Sequence, residues 1–238
     1  MNSDKNSAYK FLTGMESFIA KNLPSRKEIV EMIPRIVTQA KKREDWKHKR
    51  TPEDAFLYHF AFPLVFQYIK QQPGMDKKSA CQVLLSEFYR NMPQFSAGTP
   101  ARKGKHPFGK IMREPTFKTI ARWRGETEGA LLKQSCPDFA LRAPFPHTVV
   151  FEGKYFRHGQ AQAAATSLVT DIYQAFFYRA LPKEQSTKTH AEWNYDYACL
   201  FAYDGSDTMS LIETWQTLHQ EVKRGFWDGA NIYVMIFG

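Results

Sequence analysis

Up to about Met92 the apolar residues recur three and four apart, the spacing of helices buried along one face. A weakly specified helix covers Phe11 to Asn22. A second starts at Ser25, where Glu28 three positions on completes a capping box, and carries Ile29, Ile33, Ile36 and Val37 on one side. Thr51-Pro52-Glu53-Asp54 opens a third, with Thr51 as cap, Pro52 in the first turn and two acids at the positive end of the helix dipole. It carries Phe56, Leu57, Phe60 and Leu64, and Pro63 is expected to bend it. The same spacing predicts a fourth helix from Asp76 to near Pro93, with Cys81, Leu84, Leu85, Phe88 and Tyr89 on it.

The pattern then breaks. Gly98, Pro100, Gly104, Pro107, Gly109 and Pro115 mark residues 96–115 as a loop. Thr116 to Gln134 returns to helical spacing. From Cys136 to Phe156 the spacing changes to that of two short strands with a turn between them. Gly159 to Leu181 reads as an amphipathic helix with Ala165, Leu168, Val169, Ile172, Phe176 and Ala180 on its buried face, stopped by Pro182. A buried strand at Tyr195 to Tyr203, a helix from about Asp207 to Arg224 and a closing strand at Asn231 to Phe237 complete the order. That helix is expected to turn Leu211, Trp215, Leu218 and Val222 inward and to stop at Gly225. Helices that alternate with strands predict an α/β fold. The chain divides into a helical region with a basic loop at 1–115 and an α/β core at 116–238.

Charge adds a partner to this picture. The 238 residues carry 33 Lys and Arg against 24 Asp and Glu, a net +9. Such a surplus suits a polyanion. Six basic residues and Trp46 stand against two acids in residues 41–50. Arg102, Lys103, Lys105, Lys110, Arg113, Lys118, Arg122 and Arg124 stand against Glu114 alone between Ser96 and Arg124. Of these, Arg102, Lys103, Lys105, Lys110, Arg113, Arg122 and Arg124 are the candidate phosphate contacts. A solvated loop and helix end is the plainer reading of the same charges. The three cysteines, Cys81, Cys136 and Cys199, lie far apart with no C-x-x-C, which argues against a zinc finger or disulfide framework. The polar start and the short apolar runs predict a cytoplasmic protein with no membrane partner. No Walker loop or G-x-G-x-x-G occurs, so no nucleotide cofactor is expected. No G-x-S-x-G elbow or H-E-x-x-H occurs either.

Three charges stand inside the two strands: Asp138, Glu152 and Lys154. Charged groups are kept out of such segments unless they are paired or bind an ion. Strand side chains alternate, so Thr148, Val150, Glu152, Lys154 and Phe156 share one face. If the segment at Asp138 pairs alongside, Asp138 becomes their cross-strand neighbour. Two carboxylates suit Mg²⁺, which takes one or two of them with waters and a substrate phosphate. The Gly153 carbonyl is a further candidate ligand, and Lys154 would touch the attacking water or the phosphate.

Pro137-Asp138, thirteen residues, then Glu152-Gly153-Lys154 resembles the signature of the PD-(D/E)XK nuclease superfamily, which includes many restriction endonucleases. Other acid-x-Lys triplets, such as Asp45-Trp46-Lys47, Asp76-Lys77-Lys78 and Glu221-Val222-Lys223, fall in helical or turn context, where i and i+2 share no face. The resemblance implies a restriction-endonuclease-like αβββαβ core with a mixed central sheet, preceded by the N-terminal helical region. It implies that Asp138 and Glu152 bind Mg²⁺ and that Lys154 assists the water. An acid on the helix before the motif, Glu126 or Glu128, is implied as a further member. The activity implied is Mg²⁺-dependent endonuclease cleavage of double-stranded DNA, as in a type II restriction enzyme acting as a homodimer. Two alternatives are a repair, recombination or phage-type nuclease on branched, single-stranded or RNA substrates, and a basic DNA-binding protein that does not cut.

Overall fold

The structure, a computed structural model, describes residues 2–41, 51–86, 138–141, 144–157, 195–238 and, between them, residues 168, 169, 171, 172, 175 and 179. Helix α1 spans Asn2–Asn22 and α2 spans Arg26–Lys41. Helix α3 (Pro52–Phe56) runs through a π-helical segment, Leu57–Ala61, into α4 (Phe62–Lys70). Helix α5 (Lys77–Val83) leads into strand β1 (Leu84–Ser86). Strands β2 (Phe139–Leu141), β3 (Val149–Phe156) and β4 (Tyr197–Asp204) follow, then α6 (Ser210–Thr217), α7 (Gln220–Ala230) and β5 (Ile232–Phe237).

The five strands form one mixed sheet in sequence order. β1, β2 and β3 are antiparallel neighbours, whereas β3, β4 and β5 run parallel. Parallel neighbours need a crossover. Leu168, Val169, Asp171, Ile172, Ala175 and Arg179, all helical, lie on the first, and α6 with α7 makes the second. The α/β class expected from the alternating pattern is therefore present.

Period-two alternation builds two cores. Val149, Phe151, Cys199, Phe201, Tyr203 and Met235 face α1 to α5, where Leu12, Ile33, Phe56 and Val65 meet them. Val150, Ala198, Leu200, Ala202 and Val234 face the opposite way, onto Leu168, Ala175 and Leu211. The sheet is thus covered on both faces, with β4 buried throughout, β5 at all but one residue and β3 from Val149 to Gly153.

The helix ends follow local chemistry. The Ser25 backbone N–H and hydroxyl both donate to Glu28, at 2.9 and 2.6 Å, so the capping box forms. Thr51 and Asp54 cap each other in the same way at the start of α3, 3.0 and 3.2 Å apart. The π segment falls immediately before Phe62-Pro63, where proline lacks the N–H that an α-helix would need.

Three boundaries differ from the sequence expectation, and the first is α1, which begins at Asn2 and not near Phe11. The helix starting at Asp76 ends at Val83, and Leu84 turns extended to pair with Leu141 at the sheet edge. The partner strand decides this, because burial in a ladder outweighs a modest local preference. The long helix expected at 207–224 is two helices. The chain is extended at Leu218, His219 caps α7, and α7 continues through Gly225 to Ala230, stopped by Asn231 in the left-handed region at φ 52°. Gly225 costs a helix about 1 kcal/mol, less than the roughly 2–3 kcal/mol gained by burying an aromatic such as Trp227. Val222, expected inward, is 51% exposed, and so is Val169, at 53%.

The expectations for residues 42–50 and 87–137, including the fourth helix beyond Ser86, the basic loop and the helix over 116–134, lie outside the described residues. Among the described residues no helix is long and apolar enough to cross a membrane.

One contact locks the N-terminal helices to the motif strand. A Cβ on Gly153 would collide with Leu57, overlapping its Cδ2 and standing 2.8 Å from Cδ1 and 3.0 Å from Cγ. Leu57 is buried, one helical turn after Glu53. Gly153→Ala should therefore cost about 1–3 kcal/mol through overpacking. Leu57→Ala should cost about 2–5 kcal/mol through the cavity it leaves. The double variant should be no less stable than Leu57→Ala alone, because the new methyl enters the vacated space. Urea unfolding of the three variants checks this, and strictly additive losses would contradict the contact.

Candidate functional site

The site forms where β2 begins and the second half of β3 runs past it. Phe139 pairs with Phe151. Continuing that register by one residue sets Asp138 opposite Glu152, a separation of about 4.5–5.5 Å between Cβ atoms. The Gly153 backbone N–H donates to Asp138 Oδ2 at 2.6 Å. That bond fixes one carboxylate against the backbone next to the other. Asp138, Glu152 and Lys154 therefore come together as the alternation predicted.

Burial makes the cluster chemically unusual. Asp138 is 8% exposed, Glu152 3% and Asp171 7%. Lys154 Nζ lies 2.9 Å from Glu152 Oε1, 3.6 Å from Glu53 Oε1 and 4.0 Å from Asp171 Oδ1. Glu152 Oε2 is buried with no hydrogen-bond partner among the described residues. Three carboxylates thus lie within 4.0 Å of one ammonium, Glu152 and Asp171 buried and Glu53 half-exposed, the buried Asp138 acts on the same charge, and one Glu152 oxygen is unsatisfied. Such an excess of buried negative charge is costly unless protons or a cation offset it.

The titration of these groups follows from that imbalance. Loss of hydration pushes the Glu152 carboxyl up to about 7, against the opposing pull of Lys154. The same cause raises Asp171 to about 6 and raises Glu53. Burial alone would lower Lys154, but Glu152, Glu53, Asp171 and Asp138 together hold it well above its ordinary value. Lys154 is therefore charged at neutral pH, and Glu152 retains part of its protons there.

Two members of this cluster were not anticipated. Glu53 comes from the first turn of α3, and its carboxylate also accepts a backbone hydrogen bond from Tyr155. In the sequence its position at a helix start accounts for it fully as a dipole partner, so no signal separated it from an ordinary capping acid. Asp171 did carry a signal. It interrupts the buried stripe of Leu168 and Ala175 at i+3, an acid within an apolar face.

Glu126, Glu128 and the basic residues Arg102, Lys103, Lys105, Lys110, Arg113, Arg122 and Arg124 lie outside the described residues. His147 stands before the start of β3, away from Glu152, bonded to the Ser7 hydroxyl at 3.2 Å and packed against Phe11 and Phe145. Cys81 and Cys199 are buried thiols, each pushed up by loss of hydration.

Among the described residues no three His, Cys, Asp or Glu side chains form a ready-made metal cage. Mg²⁺ needs less, since one or two carboxylates with waters and a phosphate complete its shell. Asp138 and Glu152 fit that requirement, and the unpartnered Glu152 oxygen is a donor with nothing yet to bind. Comparison with known proteins adds no relative: no family model, no curated protein and no solved structure matches the chain.

The raised carboxylates have a measurable consequence. Their folded-state pKa values exceed the unfolded ones, so the native state holds more protons and stability falls as pH rises from about 4.5 to about 7. For Glu152 the loss should be roughly 2–3 kcal/mol. His147, lowered by burial, works in the opposite direction, so the comparison that isolates the effect is parent against Glu152→Gln. In EDTA, the parent should lose stability relative to Glu152→Gln across this range. Thermal unfolding at a series of pH values reads it, and parallel curves would contradict the assignment.

Proposed function

We propose that the chain is a Mg²⁺-dependent nuclease that hydrolyses phosphodiester bonds in DNA. The observation that carries this reading is the convergence of Asp138, Glu152 and Lys154 on one edge of β3, with a buried Glu152 oxygen left without a partner. Support also comes from the order of β1, β2 and β3, then helical residues, then β4, which parallels the βββαβ part of the PD-(D/E)XK core. The net charge of +9 supports a polyanionic substrate.

Asp138 and Glu152 would hold the cation from two adjacent strands. Asp138 is oriented by the Gly153 N–H, and Glu152 is shielded from competing water. A divalent cation bound there supplies charge neutralisation at the phosphate and makes a nearby water more acidic. Lys154 keeps a proton-bearing ammonium beside Glu152, able to donate to a phosphate oxygen or to orient the attacking water. The Lys154 side chain is 21% exposed, so a substrate oxygen can approach it from solvent.

Incubation of plasmid with the protein and Mg²⁺, with EDTA as control, tests the reading. Cleavage should need the metal, and Asp138→Ala and Lys154→Ala should each slow it about a hundredfold or more. Discrete bands would identify restriction-type cleavage of double-stranded DNA. Smearing would move the assignment to a structure-guided or non-specific nuclease. Intact but gel-shifted DNA would make the protein a binder, and undiminished cutting by both variants would refute the site.

A further inference from the structure

Lys154 has three carboxylate neighbours, and they are not equivalent. Glu152 is the closest, yet on the nuclease reading it is the carboxylate that the cation takes. A divalent cation on Glu152 repels an ammonium at that distance, so Lys154 needs other counter-charges to stay where it is. Glu53 is placed to supply one. Its Oε1 lies 3.6 Å from Lys154 Nζ, and the same carboxylate accepts from the Tyr155 N–H, the residue after Lys154. It therefore braces the side chain and the backbone of the lysine at once.

The helix carrying Glu53 is fixed against the motif on three counts. Its first turn is closed by the reciprocal Thr51–Asp54 cap. Phe56 packs among Tyr155, Phe201 and Tyr203, with ring centroids 5.7, 6.0 and 4.9 Å away. Leu57, one turn after Glu53, fills the space that a side chain at Gly153 would need. Glu53 and Leu57 thus approach two successive motif residues from one helix. Asp171, from the other face of the sheet, adds a second and longer contact at 4.0 Å.

We propose that Glu53 is the positioning residue for Lys154, holding its ammonium when Glu152 is committed to the cation, and that Glu53 is not itself a metal ligand. The proposal deepens the nuclease reading and rests on it for its role in the reaction. The contact itself can be tested without any cleavage.

Glu53→Gln removes the charge but keeps acceptors for Lys154 and Tyr155, so it serves as the test variant. In EDTA, urea unfolding of the parent, Glu53→Gln, Lys154→Met and the double variant should give non-additive losses, because the two side chains act on each other. Calorimetric titration with Mn²⁺ should give Glu53→Gln an affinity within about threefold of the parent, whereas loss of a ligand would weaken it far more. With plasmid and Mg²⁺, Glu53→Gln should lower kcat about tenfold to hundredfold with KM unchanged. That loss should vanish when Lys154 is already Met. Additive unfolding, a Mn²⁺ affinity lowered by tenfold or more, or a kcat loss that persists without Lys154 would each overturn the proposal. If the parent itself does not cut under any condition, the nuclease reading fails, and the unfolding cycle still decides whether Glu53 holds Lys154.

Discussion

A carboxylate almost wholly withdrawn from water, beside a lysine that can satisfy only one of its oxygens, sets the terms for everything around it. Glu152 is 3% exposed, and Lys154 meets its Oε1 at 2.9 Å. Burying such a pair is no gain in itself, since the cost of removing two charges from water rivals their attraction. Here the balance is worse, because Asp138, Asp171 and Glu53 add negative charge that a single ammonium cannot offset. A fold selected for stability alone would do better with apolar side chains of similar volume at these positions. On the reading proposed above, the arrangement is a place held ready for a cation.

The architecture supplies each partner from a different element. β2 brings Asp138 by register, and β3 brings Glu152 and Lys154 by alternation. The crossover between the parallel strands β3 and β4 brings Asp171, and α3 brings Glu53 across the opposite layer. Gly153 makes the last possible, because any larger residue there would push away Leu57 and the helix that carries Glu53. Glycine between two charged residues of the motif therefore has a packing reason, not a conformational one. The fold and the site depend on each other through that close approach and the packing of Phe56 on Tyr155 beside it.

Much of this was legible in the sequence because it rests on short-range rules. Period-two alternation gave the two faces of β3, and the caps at Ser25 and Thr51 formed as their spacing predicts. The convergence of Asp138 with Glu152 followed from one assumption, antiparallel pairing of neighbouring strands. What failed depended on distant partners. Leu84 is a strand residue because Leu141 is there to pair with it, and α7 runs through Gly225 because Trp227 has a core to enter. Glu53 was hidden for the same reason. It lies ninety-nine positions before Glu152 and nothing local marks it, whereas Asp171, equally unanticipated, is an acid on a buried helical stripe, a signal the sequence does carry.

The central claim is that Asp138 and Glu152 form a cation site with Lys154 beside it. The most direct measurement is a crystal grown with Mn²⁺ in place of Mg²⁺, with the anomalous signal of the metal used to locate it. The account predicts one peak between the two carboxylates, with oxygen atoms of both at about 2.1 Å, and the Lys154 ammonium turned toward Glu53. No peak there at saturating Mn²⁺, with Lys154 still closed on Glu152, would contradict it.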